Sequence, residues 1–109
     1  MNYTTFIVKI ISKPERSLFE IDDNEILYTE FVGKFYQFRK NEYTICKISV
    51  WGNLAYDVLQ YYQVNDYLII EGYISLHDSI IEELNLKTAI EISAVKAYPF
   101  ALTAPKIKK

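Results

Sequence analysis

Apolar and polar residues alternate along much of the chain, which is the period expected of β-strands with one buried face. The clearest alternation ends at Trp51, the only tryptophan. It puts Cys46, Ile48 and Val50 on an inward face. Lys47 and Trp51 fall on the opposite face. The pattern therefore predicts a strand whose tryptophan points away from the core.

Five segments of strand character are predicted, at about residues 3–12, 26–38, 43–51, 67–75 and 87–97. One segment has helical period instead. It follows Gly52 and the N-cap candidate Asn53, and its apolar stripe consists of Leu54, Ala55, Val58, Leu59 and Tyr62. A short helix over residues 54–62 is expected. A turn at Asn65-Asp66 follows, and Gly72 indicates a bulge or a close backbone approach.

Two further stretches are predicted to be connections. Residues 15–25 are rich in acids and form the first connection. Residues 77–86 form the loop between the last two strands, with partial helical character. Five strands and one helix suit a small barrel, whereas the ferredoxin-like sheet of RNA-recognition motifs needs two crossover helices.

Either set of alternate side chains of the second predicted strand could face the core. The preferred assignment places the more polar set outward. Its outward set is Glu30, Val32, Lys34 and Tyr36, and its inward set is Leu27, Thr29, Phe31, Gly33 and Phe35. In this assignment Lys34 and Tyr36 share an outward surface with Lys47 and Trp51.

The chain has 109 residues, a formal net charge of -2 and a pI of about 5.4, unlike a generic polyanion binder. The distribution of charge says more than the total. Residues 31–56 contain one acid, Glu42, against the cations Lys34, Arg39, Lys40 and Lys47, interleaved with Phe31, Phe35, Tyr36, Phe38, Tyr43 and Trp51. Cations interleaved with aromatic rings are typical of surfaces that bind single-stranded nucleic acid.

Each of these candidates also has a purely structural explanation. A tryptophan at a strand end is commonly half-buried against a loop or a neighbouring subunit, and a lysine taken singly is usually a solvated charge. Tyr36, Phe38 and Tyr43, near a hairpin tip, can instead fold over the end of the barrel. Tyrosine is abundant, but so are isoleucine, lysine and asparagine. This is the residue usage of an AT-rich genome, so the tyrosine content can reflect nucleotide composition rather than binding.

Catalytic and metal chemistry find little support in the sequence. The three glycines lie about twenty residues apart, too far for a phosphate-cradling loop. His77 is predicted to be an exposed loop residue that no motif ties to a nucleophile. The pairs Asp22-Asp23 and Glu82-Glu83 lack the spacing of a calcium loop. We expect no enzyme activity, cofactor, metal or small-molecule substrate.

The single cysteine, Cys46, rules out an intramolecular disulfide and fits a small core residue. No apolar run approaches the roughly 18 residues of a membrane-spanning helix. The N-terminus has neither a secretory nor a transit-peptide pattern. We therefore expect no membrane association.

Four short motifs occur in a fixed order. Residues 13–17 read Lys-Pro-Glu-Arg-Ser, 51–55 Trp-Gly-Asn-Leu-Ala, 64–66 Val-Asn-Asp and 71–72 Glu-Gly. From about Asn2 to Tyr98 the chain thereby resembles the bacterial and organellar single-stranded DNA-binding family, including its primosomal branch. The core of that family's pattern is an aromatic residue followed by Gly, Lys, Leu and Ala. Asn53 and Val64 stand where the family has lysines.

The resemblance implies an all-β OB-fold: a five-stranded Greek-key barrel with one short helix between its third and fourth strands. The barrel is expected over residues 1–100, with a flexible basic tail at 101–109. The implied function is sequence-nonspecific binding of single-stranded DNA in replication, recombination or repair, with RNA as an open possibility. The family also implies a homo-oligomer, either a dimer or a tetramer.

Eight residues are expected to contact nucleic acid: Lys34, Tyr36, Phe38, Arg39, Lys40, Tyr43, Lys47 and Trp51. The alternative is an OB-fold subunit that has lost this binding and assembles a replication or other complex through its barrel edges, which the acidic pI favours. The acidic recruiting tail of the family is not matched by Lys-Ile-Lys-Lys at 106–109. With the residue usage, the resemblance predicts a plastid-encoded protein, the bacterial cytoplasm being the alternative.

Overall fold

A computed structural model describes residues 2–37, 42–81 and 86–100, and their side chains except at 2, 36–37, 77–81 and 86–89. The described chain forms six strands and one helix. They are β1 (Asn2–Ile10), β2 (Glu15–Ile21), β3 (Asn24–Gln37), β4 (Glu42–Trp51), α1 (Asn53–Tyr61), β5 (Tyr67–Ile81) and β6 (Leu86–Pro99).

Five of the strands close into a ring. β1 pairs antiparallel with β5, β5 with β6, and β3 with β4, while β4 and β6 run parallel. The ring is completed by a short antiparallel pairing of β1 with β3, at Lys9 and Ile10. The helix α1 lies between β4 and β5. This is the connectivity of an OB-fold, with α1 between the third and fourth barrel strands, as predicted.

The interior of the ring is filled by alternate side chains of the strands together with one face of α1. The buried cluster consists of Val8, Ile10, Leu27, Phe31, Cys46, Ile48, Val50, Ala55, Val58, Leu68, Ile70 and Ile92. Thr29 lies at the same depth and is fully buried. Its hydroxyl has no hydrogen-bond partner among the described residues, which is costly for a buried polar group. The predicted inward faces of β3 and β4 are confirmed.

Val32 lies on the predicted outward side of β3, opposite Lys47, but it is not exposed. Only 4% of its surface is accessible. The chain leaving β1 lies against it, because the Val32 carbonyl accepts hydrogen bonds from the N–H groups of Ile11 (2.8 Å) and Ser12 (3.2 Å). The Val32 N–H donates to Ser12 Oγ at 2.8 Å. This crossing segment buries a position that alternation alone assigns to solvent.

The prediction of a loop over residues 15–25 was wrong. Residues 15–21 form β2, which pairs with β3 from Glu15 opposite Glu30 to Ile21 opposite Asn24. Asp22 and Asp23, with φ of 50° and 65°, make the two-residue turn between them. Positive φ at both central residues matches the twist of a hairpin. We call residues 15–30 the β2–β3 hairpin.

The loop predicted over residues 77–86 is largely strand as well. β5 continues to Ile81 and β6 begins at Leu86, so His77 lies in a strand rather than in a loop. Residues 82–85, including the Glu82-Glu83 pair, lie outside the described residues, as does the predicted tail from 101. The two strands are paired as far as Ile81 opposite Leu86.

Two glycines shape the barrel around β4 and β5. Gly52 has a φ of 66° and occupies the N-cap position of α1, so Asn53 is the first helical residue and not the predicted cap. Gly72 lies where the β5–β6 register shifts, and a Cβ there would fall on the carbonyl oxygen of Ser93. The predicted bulge or close approach at Gly72 is confirmed, and it requires glycine because that oxygen belongs to the backbone.

Candidate nucleic-acid interface

The outward side chains of β3 and β4 form one surface, which we call the outer face. Directly opposite residues in paired strands point the same way, so the register defines this surface. Tyr28 lies opposite Trp51, Glu30 opposite Ser49, and Lys34 opposite Ile45. Because β6 runs beside β4, Glu91 opposite Lys47 and Ser93 opposite Ser49 continue the surface.

Trp51 belongs to an aromatic cluster with Tyr28 and Phe19. Its ring stacks on Tyr28, with centroids 4.8 Å apart and planes 21° from parallel. Phe19 meets Trp51 edge-on, at 5.8 Å and 90°, and Tyr28 at 6.5 Å and 83°. Trp51 remains 44% exposed. The expectation that it points away from the core is confirmed, and neighbouring rings hold it in place.

Lys47 lies next to the aromatic cluster and is bound by two carboxylates. Its Nζ is 3.5 Å from Glu30 Oε2 and 3.7 Å from Glu91 Oε2. The Lys47 side chain is 26% exposed, so the trio lies at the surface rather than in the core. Lys47, Glu30 and Glu91 together carry a formal charge of -1. The positive charge of Lys47 is therefore already neutralised in the free protein.

Lys34 lies further along the outer face. Its Nζ is 4.4 Å from the centroid of the Tyr43 ring, a favourable cation–π geometry. Tyr43 is 54% exposed, so it does not fold over the barrel end. Within residues 2–37, 42–81 and 86–100, both observed salt bridges involve Lys47, and Lys34 takes part in neither.

The remaining predicted site residues are only partly placed. The backbone of Tyr36 lies in β3, opposite Tyr43. Phe38, Arg39 and Lys40 lie outside the described residues. The structure therefore brings Lys34, Tyr43, Lys47 and Trp51 onto one surface, and it adds Glu30, Glu91, Phe19 and Tyr28 to them.

A second exposed surface covers the outside of β1, β5 and β6. Tyr3, Ile7, Tyr73 and Tyr98 lie on it, each between 40% and 47% exposed. Tyr3 and Tyr73 meet edge-on at 5.1 Å, and the Tyr3 hydroxyl donates to Glu71 Oε1 at 3.0 Å. That hydrogen bond to a carboxylate raises the pKa of the Tyr3 hydroxyl. We call this surface the tyrosine face.

The part of the chain that is described has no candidate metal site, and its cysteine lies in the core. Its side chains include no cluster of three or more His, Cys, Asp or Glu that could hold a metal. The thiol of Cys46 is fully buried and donates to the Gly33 carbonyl at 3.6 Å. Burial raises its pKa to about 12, with a smaller opposing contribution from that hydrogen bond. The described helix is too short and too polar to span a membrane.

Comparison with curated proteins identifies the family. The chain is 49% identical over 113 residues to the "Putative single-stranded DNA-binding protein ycf41" of Trieres chinensis. The alignment covers 100% of this chain and 97% of that protein. The chain belongs to the ycf41 family of single-stranded DNA-binding proteins. No protein-family model matches it.

Solved structures show the fold of this ycf41 family member. The SSB domain of a protein from Synechococcus sp. superposes with a TM-score of 0.67 at 19% identity, over 90% of this chain and 94% of that one. The small single-stranded DNA-binding protein of Streptomyces coelicolor gives 0.62 at 10%, over 91% and 94%. The second single-stranded DNA-binding protein of Mycobacterium smegmatis gives 0.58 at 19%, over 98% and 97%. The OB-fold assignment is thereby confirmed.

Two aromatic residues of the outer face and the β2–β3 hairpin, Phe19 and Tyr28, are not among the predicted site residues. Phe19 was assigned to an acidic loop, and Tyr28 was given no role. The available indication was the two-residue Asp22-Asp23 turn between segments that each contain apolar residues, because aspartate tolerates positive φ. Recognising that hairpin would have placed Phe19 beside Tyr28, and Tyr28 beside Trp51.

Proposed function

We propose that this protein binds single-stranded DNA without sequence preference and has no enzymatic activity. The single observation that carries the proposal is the exposed Trp51, which is held by Tyr28 on an OB-fold surface that also presents Lys34 and Lys47. The name of the Trieres chinensis relative points the same way.

The chemistry of the outer face suits a flexible polyanion with aromatic bases. Every base has a π-face, so stacking on Trp51 and Tyr43 tolerates any sequence, at roughly 1 to 3 kcal/mol per base. Lys34 and Lys47 attract the phosphates, Lys47 by exchanging a carboxylate partner for a phosphate oxygen. In our proposal Tyr36, Phe38, Arg39 and Lys40 also contact the strand. The rings therefore provide contact area, and the lysines orient the strand.

The decisive experiment uses the fluorescence of the sole tryptophan. Adding polythymidine at low salt should quench Trp51, because a stacked base changes the surroundings of the indole directly. A double-stranded oligonucleotide of the same length is the control and should quench far less. If polythymidine gives neither quenching nor a mobility shift at high micromolar protein, the proposal is wrong.

The second candidate is an assembly subunit that does not bind nucleic acid. The observation that favours it is the neutralised Lys47, held by Glu30 and Glu91 in a protein of net charge -2. The fluorescence titration separates the two functions, since an assembly subunit gives no response to polythymidine at any salt concentration.

We also propose that the protein forms a homo-oligomer through the tyrosine face. Tyr3, Ile7 and Tyr73 expose apolar surface there, and contiguous exposed apolar patches commonly mark interfaces. Among the described residues, β1 pairs with β3 only at Lys9 and Ile10, which leaves the edge of its first half open. Sedimentation of the wild type and of Ile7→Glu tests this: the substitution should produce monomers, and a monomeric wild type would rule the assembly out.

A plastid is the proposed location. Residue usage typical of an AT-rich genome and the similarity to a ycf41 protein support it. We further propose that residues 1–100 act as one binding domain. Immunogold labelling or organelle fractionation in the source organism would test the location directly.

A further inference from the structure

The β2–β3 hairpin has two chemically different faces. Because paired residues point the same way, Phe19 and Ile21 share a face with Tyr28, and this face continues the outer face past Trp51. Glu20 and Glu25 lie opposite each other on the other face of the hairpin. Beside Trp51 this face is therefore mainly aromatic and apolar, whereas Glu15 and Glu30 lie on the same face at the base of the hairpin.

Apolar side chains on this face of the hairpin are exposed. Phe19 is 44% exposed and Ile21 is 45% exposed, and both lie next to the half-exposed Trp51. Burial in the barrel does not explain these side chains, since β2 pairs with β3 alone among the described strands and lies outside the ring. Contiguous apolar exposure of this kind marks a binding surface.

The distances between ring centroids show where Tyr28 and Phe19 lie relative to the Trp51 ring. The three separations are 4.8, 5.8 and 6.5 Å, close to an equilateral triangle. If Phe19 covered the Trp51 face that points away from Tyr28, it would lie much farther from Tyr28 than it does. Phe19 therefore stands beside the stacked pair, and neither ring covers the far face of Trp51.

We propose that the β2–β3 hairpin is a second part of the single-stranded DNA site, with Phe19 stacking the base next to the one on Trp51 and Tyr28 fixing the Trp51 ring. This inference rests on the proposed function. Tyr28 reduces the rotamer freedom that Trp51 loses on binding, which favours affinity. Phe19 stands nearly perpendicular to Trp51, so successive bases separate and the strand turns where it passes onto the hairpin.

Charge sets the direction of the strand on the hairpin. Glu20 and Glu25 face away from the aromatic cluster, and Asp22 and Asp23 occupy the tip. Phosphates are repelled from the tip, from the far face and from Glu15 and Glu30 at the base, so the strand crosses the middle of the hairpin, beside Tyr28 and Trp51. Bases contact Phe19 while the backbone stays on the side of Lys47.

The test compares two neighbouring substitutions in the full-length chain. Phe19→Ala should weaken binding to oligothymidine by about 5- to 150-fold, the loss of one stacked base. Leu18→Ala is the matched control: Leu18 is 52% exposed on the opposite face of the same strand, and its removal should leave affinity unchanged. Urea melts of both variants check that the hairpin and barrel remain folded.

A reporter variant keeps the test decisive if Phe19→Ala is unstable. In the double substitution Trp51→Phe with Phe19→Trp, the only tryptophan lies on the hairpin, and oligothymidine should quench it. If the wild type binds but this reporter does not respond, or if Phe19→Ala and Leu18→Ala bind equally well, the hairpin is not part of the site. If the wild type itself does not bind, the proposed function fails and this inference falls with it.

Discussion

The two carboxylates that hold Lys47 provide a direct test of the electrostatics of the outer face. Glu30 Oε2 lies 3.5 Å from Lys47 Nζ, so a phosphate that binds Lys47 must approach this carboxylate. Replacing Glu30 with glutamine keeps the shape of the side chain and removes its charge. We therefore expect Glu30→Gln to bind single-stranded DNA more tightly than the wild type does.

The magnitude follows from the geometry. A phosphate oxygen at a similar distance on the far side of Lys47 Nζ lies about 7 Å from the Glu30 carboxylate, where two unit charges in water repel by about 0.6 kcal/mol. At an effective dielectric constant of 20 the repulsion is about 2.4 kcal/mol. Glu30 is 45% exposed, so the aqueous value applies and affinity should rise about threefold.

The assay is a fluorescence titration with oligothymidine over a series of salt concentrations. Glu20→Gln is the matched control, because it removes the same charge from the opposite face of the β2–β3 hairpin. The gain in Glu30→Gln should shrink as salt rises and the Debye length falls from about 30 Å at 0.01 M to about 3 Å at 1 M. Equal gains in both variants would mean that net charge matters and that the position of Glu30 does not.

Three further predictions concern Thr29, Cys46 and Trp51. Thr29→Val should raise the free energy of unfolding by about 1 kcal/mol in urea melts, because it removes an unpaired buried hydroxyl; a loss of stability would show that the hydroxyl is satisfied. Cys46, with a pKa of about 12, should resist thiol reagents at pH 8 until the protein unfolds; since the folded pKa lies above the unfolded one, stability should fall between about pH 9 and pH 12. Trp51→Ala should weaken binding by roughly 1 to 3 kcal/mol while size-exclusion profiles and urea midpoints stay near those of the wild type; a collapse in stability would instead identify Trp51 as a structural anchor.

The faces of β4 were predictable because strict alternation leaves only one way to bury Cys46, Ile48 and Val50. The same period put Lys47 and Trp51 outward, as the structure has them. The helix was placed within one residue of its observed bounds, since its apolar stripe has to cover the barrel. Local steric rules and burial on one side determine these features, and both can be inferred from the sequence.

The β2–β3 hairpin was missed for a physical reason. β2 pairs with β3 outside the ring, and nearly all of its residues are exposed, so burial imposes no alternation on it. Its many acidic residues led to the prediction of a loop. The partners of Lys47 were missed for a different reason, since Glu91 reaches it only through the parallel pairing of β4 with β6. Contacts between distant segments depend on the closed barrel, which local patterns do not specify.

Net negative charge and binding to a polyanion are compatible if stacking contributes more than phosphate contacts do. Lys34 and Lys47 are the described cations of the outer face, and two phosphate contacts give a slope of log affinity against log salt of about -1.4 for a single strand. If Arg39 and Lys40 bind as well, the slope approaches about -2.8. Lys47→Ala should then reduce either slope by about 0.7. A slope that this substitution leaves unchanged would remove Lys47 from the site and leave Glu30 and Glu91 as purely repulsive neighbours.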